Sequence, residues 1–97
     1  MARLSLDARV SPSPDVVSRE VGGELVLLDL ESATYFGLNG VGSRIWTLLA
    51  EAESLRGVCD AMEREYAVPR ARLEQDLLDL VGRLRDRRLV DIDGTAT

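Results

Sequence analysis

The side chains able to do chemistry in this chain are carboxylates, arginines, one thiol, and glycines set beside aromatic residues; there is no histidine. Its absence removes the commonest general base and the commonest metal ligand. Asp60, Glu63, Glu65, Glu74, Asp76 and Asp79 come as singles among Arg64, Arg70, Arg72 and Arg83. A pair of carboxylates working as acid and base needs two opposed environments in one cleft. Alternating charges instead describe a solvated, ion-paired face. Cys59 is the one cysteine, so a single chain builds no disulfide, zinc cluster or iron–sulfur site. It shares an apolar helical register with Leu55, Val58 and Met62 and reads as a small buried hydrophobe. Gly37, Gly40 and Gly42 lack both the G-x-G-x-x-G spacing and the lysine of a phosphate-binding loop. They read as a tight passage from strand to helix. The expectation is a protein without catalytic residues, cofactor or metal.

The arginines are more suggestive. Arg83, Arg85, Arg87 and Arg88 form the one local basic cluster, at the predicted C-terminal end of a helix. Cations there favour the negative end of the helix dipole. The same cluster could also receive an acidic or phosphate-bearing partner.

The elements that position these groups turn on Thr34–Leu49, which holds three of the four aromatic residues: Tyr35, Phe36 and Trp46. Tyr35, Phe36 and Leu38 suit a pleated strand. Ile45, Trp46, Leu48 and Leu49 then follow at helical spacing, with Asn39 placed to cap the helix. Upstream, Val16–Val21 and Glu24–Leu30 flank Gly22-Gly23, a hairpin signal because both turn positions favour φ > 0. Leu25–Leu28 is apolar on both faces and belongs in the middle of a sheet. A three-stranded antiparallel meander is expected, with the third strand on an edge. Downstream, Ser54 can cap a helix carrying Leu55, Val58, Cys59 and Met62. Pro69 opens a third helix striped by Leu73, Leu77, Leu80 and Leu84. Leu89–Ile92 closes the domain in extended form. Strands followed by helices indicate an α+β domain with a winged-helix outline.

Ninety-seven residues make one domain. The expected division is a flexible N-terminal arm over 1–14, the folded domain over 15–92 and a C-terminal tail over 93–97. The 45% apolar and 30% charged content are those of a globular domain. Met1–Pro14 has no apolar signal core, and the longest apolar run, Leu25–Leu28, spans no bilayer. A cytoplasmic protein without membrane contact is expected. A net charge of −5 opposes nucleic-acid binding. What remains is the edge. Thr34–Leu38 has neither charge nor proline, the usual means of blunting an edge strand. It could take up an extended peptide by strand addition, unless the N-terminal arm or a homodimer partner covers it.

Tyr-Phe-x-Leu-Asn-x-Val-Gly-x-x-Ile-Trp-x-Leu-Leu over Tyr35–Leu49, extended by Asp76, Leu80, Leu84 and Leu89-Val90, resembles the PqqD-like family across roughly residues 15–92. The resemblance implies a small winged-helix-like domain of three strands and three helices. It would recognise the leader of a ribosomally made precursor peptide and bind it as a fourth strand between the third strand and third helix. Thr34, Tyr35, Phe36, Gly37, Leu38 and Asn39 would supply the edge. Asp76, Leu77, Leu80, Val81, Arg83 and Leu84 would line the groove. At this length the chain is most similar to the stand-alone recognition proteins of lasso-peptide pathways, whose other partners are a leader peptidase and a cyclase. The alternatives are a pyrroloquinoline-quinone-type peptide chaperone for a radical enzyme and a winged-helix DNA-binding regulator. Two positions depart from the family pattern: Ala33 and Arg88 stand where glycine is usual. With arginine at 88, the end of the third helix is expected to turn to water.

Overall fold

The computed structural model describes residues 5–93. Apart from Asp93, the expected tail lies outside them, as do the first four residues of the expected arm. Eight elements follow in order: β1 (Arg9–Pro12), β2 (Val16–Val21), β3 (Glu24–Asp29), β4 (Thr34–Leu38), α1 (Gly40–Leu49), α2 (Leu55–Glu65), α3 (Arg70–Asp86) and β5 (Val90–Asp93). The expected α+β architecture is present: an antiparallel β2-β3-β4 sheet, then three helices.

Gly22 and Gly23 take φ of 61° and 84°, the left-handed pair that a two-residue hairpin turn needs. That turn sets the β2–β3 register, with Val21 opposite Glu24 and Val16 opposite Asp29. Asp29 then ends β3: its carboxylate accepts the Glu31 N–H at 3.0 Å and the Ser32 hydroxyl at 2.8 Å. The chain reverses through Ala33 into β4, which pairs with β3 from Leu25–Leu38 to Asp29–Thr34. The sheet has two faces of unlike fate. Leu27 and Leu38 are buried under the helices, with Phe36 partly so. Val17, Val21 and Tyr35 stand exposed on the other face beside Val26 and Leu28. β3 is central, as its doubly apolar run predicts, yet among the described residues no layer covers its outer face.

The strand-to-helix corner is built as expected. Asn39 accepts the Gly42 N–H on Oδ1 at 2.8 Å and caps α1. Of the three glycines here only Gly42 is needed for space: a Cβ there would lie 3.2 Å from Asn39 Oδ1 and 3.3 Å from Leu38 Cδ2. Ser43 locks the corner to the sheet, its Oγ accepting the Leu25 N–H at 2.9 Å and donating to the Leu38 carbonyl at 3.2 Å. Ile45, Trp46, Leu48 and Leu49 drive into one core with Leu55, Val58, Met62, Leu77, Leu84 and Leu89. Cys59 is buried among them, and burial pushes its thiol pKa up.

Two sequence expectations fail. The segment expected as an arm over 1–14 is built into the domain where it is described. β1 pairs with β5, Val10 opposite Ile92, while Ala8 and Val10 are buried. The carbonyls of Leu6 and Ala8 accept the Arg56 and Leu55 N–H groups at 2.8 and 3.0 Å, satisfying donors that the first turn of α2 leaves free. No Pro/Gly periodicity announces this pairing, because a four-residue strand is too short to show a pattern. The C-terminal end of α3 is also not left to water. Arg88 takes φ 59°, the Leu89 N–H reaches the Leu84 carbonyl at 2.9 Å, and the Arg88 N–H reaches that of Arg85 at 2.9 Å. Those two bonds form a Schellman cap with an arginine in the position glycine usually takes, and Leu84 and Leu89 pack in one core.

Candidate functional site

Among the described residues, β4 has one strand neighbour, β3, and its other edge carries no backbone ladder. β1, which could have closed it, is committed to β5. The opposite edge of the sheet, β2, carries Arg19 and Glu20; the β4 edge carries no charge or proline. Along β4, Thr34, Tyr35 and Gly37 are exposed, Phe36 is half-buried and Leu38 is buried. Tyr35 and Phe36 take opposite faces, as adjacent strand residues must. Asn39 is exposed but engaged as the α1 cap.

The wall facing this edge is α3, and its orientation is fixed at both flanks. Arg70 reaches across to α2, bonding Asp60 at 2.7 Å, and to Glu74 at 2.9 Å; these bonds hold its pKa well above the usual arginine value. The β4 side is marked by Arg87, whose guanidinium stands over the Phe36 ring, 5.5 Å from its centroid. Helical spacing puts Arg83, Leu80 and Asp76 on that flank in successive turns above Arg87. Asp76 is exposed and ion-paired with Arg72 at 3.2 Å; Arg83 is exposed. Leu77, Val81 and Leu84 are 2%, 0% and 0% exposed, so as the protein stands they offer no surface to a ligand and instead support the flank from beneath. Leu80, at 7%, is buried in the same core.

Of the twelve residues predicted from sequence, then, the structure buries five (Leu38, Leu77, Leu80, Val81 and Leu84), and it joins this strand to the end of α3 through Phe36 beneath Arg87. It adds Arg87. The signal for Arg87 was present in the arginine cluster, four residues beyond Arg83, but nothing in the sequence said that Phe36 would lie under it. A cleft of about 300 Å3 continues past Arg87, between the β3–β4 turn (Asp29, Glu31, Ser32) and Asp86–Arg88. No group of three metal-ligating side chains occurs among the described residues, and no described helix is long and apolar enough to cross a membrane.

The family model described as coenzyme PQQ synthesis protein D matches residues 24–90, and the chain belongs to that family. Two solved structures are similar over nearly its whole length. One is TbiB1 in complex with the TbiA(beta) leader peptide, at 42% identity and a TM-score of 0.78, covering 90% of this chain and 99% of that one. The other is lasso peptide synthetase B1 complexed with the leader peptide, at 26% identity and a TM-score of 0.78, covering 86% and 98%. No match was found among curated protein sequences.

Proposed function

We propose that this protein is a non-catalytic, cytoplasmic leader-peptide-binding subunit of a modified-peptide pathway, of the lasso type. It takes up the leader of a precursor peptide as a strand on β4, beside α3, and presents the remainder to a leader peptidase and a cyclase. The observation that carries this reading is the unpaired, uncharged β4 edge under the Arg87 flank of α3. Two relatives bound to leader peptides support it. A disordered leader loses chain entropy on docking, and backbone bonds along the edge plus a few apolar anchors offset that loss. Micromolar affinity needs about 8 kcal/mol net, within reach of two or three buried side chains and a short ladder. Thr34–Asn39 supply the ladder; Asp76 and Arg83 border it, with Leu77, Leu80, Val81 and Leu84 holding that border rigid.

The family description alone would favour service in coenzyme PQQ synthesis. The similarity to a lasso peptide synthetase B1 complexed with the leader peptide, at 26% identity over 86% of the chain, weighs for the lasso pathway. The measurement is a fluorescence-anisotropy titration with labelled TbiA(beta) leader peptide, in parallel with a leader from a coenzyme PQQ precursor. Saturable binding of the first, weakened at least tenfold by Phe36→Glu in a folded variant, is expected. Preference for the second would move the protein to the other pathway. Binding of neither, together with a gel shift of genomic DNA fragments, would point to the DNA-binding alternative. A second copy pairing along β4 would show as a concentration-dependent mass that the peptide abolishes.

A further inference from the structure

The arginine cluster does more than face a helix dipole. Acidic residues outnumber basic ones, 17 to 12, and four arginines found elsewhere on the described helices have taken carboxylate partners: Arg44 with Glu65, Arg56 with Asp7, Arg70 with Asp60, and Arg72 with Asp76. Arg83 and Arg87 have none among the described residues, and neither has Arg64 on α2, so what sets the first two apart is their place beside Phe36 rather than the lack of a partner. Asp79 lies one turn before Arg83, at favourable helical spacing, and is unpaired with it; Asp86, next to Arg87, instead approaches Arg85 at 3.8 Å. Arg83 is exposed and precedes Arg87 by one helical turn, and Arg87 stands over Phe36 in the strand with the open edge. Like charges at that spacing repel, and an anion between them removes the repulsion.

We infer that Arg83 and Arg87 form a carboxylate subsite that selects an Asp or Glu in the peptide strand added to β4. The inference rests on the peptide-binding reading and adds to it a sequence preference. Guanidinium forks bind a carboxylate through two parallel N–H···O bonds, stronger and more directional than an ammonium contact. Every charge facing the site limits where the carboxylate sits. Asp76 is neutralised by Arg72, and Asp29 is engaged by the Glu31 N–H and the Ser32 hydroxyl. Beyond Arg87, however, the cleft is walled by Asp15, Asp29, Glu31 and Asp86, which repel an anion in front of Arg88. The favourable position is therefore over Phe36, between Arg83 and Arg87.

The test pans a displayed library of random extended peptides, about 15 residues long, against the intact chain, against Arg83→Gln/Arg87→Gln, and against Arg64→Gln as a control on α2. Folding of each variant is checked by circular dichroism. Wild-type and control binders are expected to carry Asp or Glu at a fixed distance from their apolar anchors. Those peptides should bind the double variant about tenfold more weakly. Their Asn or Gln versions should bind wild type and double variant alike. Binders with no acidic preference, or a preference that survives in the double variant, overturn the subsite and leave strand addition standing. Recovery of no binder from any of the proteins overturns both.

Discussion

At the scale of single residues, the two departures from the family pattern are where backbone strain is stored. Ala33 and Arg88 take φ of 58° and 59°, where a Cβ crowds the following carbonyl at about 1–2 kcal/mol per residue. Glycine relieves that crowding and raises unfolded-chain entropy, a smaller opposing effect. Ala33→Gly and Arg88→Gly should each raise stability by roughly 0.5–1 kcal/mol, read as higher urea midpoints with unchanged slope; lower midpoints contradict the left-handed geometry. Cys59 gives a second residue-scale expectation. The chain has neither histidine nor lysine, so this thiol is the one side chain that titrates between the carboxylates and the tyrosines. Burial raises its folded pKa, so the unfolded chain ionises first. The stability that the neutral thiol contributes is whole below the ordinary thiol pKa of about 8.5 and is lost as pH rises from there toward the folded value. Urea midpoints of the wild type should therefore fall faster than those of Cys59→Ala above about pH 8.5, and equal slopes would sink this account. The identity of both special positions was legible in the sequence. How Arg88 satisfies the helix end was not, because a Schellman cap depends on a backbone state that composition only hints at.

At the scale of elements, the hairpin, the capped corner and the helical stripes were readable because each rests on local chemistry: Gly22-Gly23, Asn39, Ser54 and the apolar spacing. Elements held by distant partners were not. β1 exists through its ladder to β5, 78 or more positions away in sequence, and four residues cannot announce that pairing. The proposed groove shows the same division. Its strand side followed from Thr34–Leu38 alone, whereas its helix side needed the Arg87–Phe36 contact to tell one flank of α3 from the other. The four leucine and valine side chains expected on the groove wall, Leu77, Leu80, Val81 and Leu84, were drawn into the core, since an apolar stripe looks alike in sequence whichever surface it meets. The edges of the sheet should differ accordingly. Peptide added in excess should leave a charge change in β2, Glu20→Gln, without effect on affinity, and Phe36→Glu in β4 should weaken it at least tenfold. The reverse ranking, measured by the same anisotropy titration, would place the peptide on the wrong edge.

At the scale of the whole molecule, the segment before β2 is part of the fold. It buries Ala8 and Val10, supplies a strand, and caps α2 through the Leu6 and Ala8 carbonyls. Deleting residues through Pro14 should cost about 3 kcal/mol or more, from lost apolar burial and uncapped donors, and lower the melting temperature by well over 10 °C. An unchanged melting temperature would restore the reading of a flexible arm. The same segment bears on function, because a chain already committed to β5 leaves β4 open. Amide hydrogen exchange across the intact protein, with and without saturating leader peptide, tests that opening most directly. The account predicts new protection concentrated at Thr34–Leu38 and none along Val16–Val21. Binding that leaves the Thr34–Leu38 amides exchanging at their free rate would contradict it.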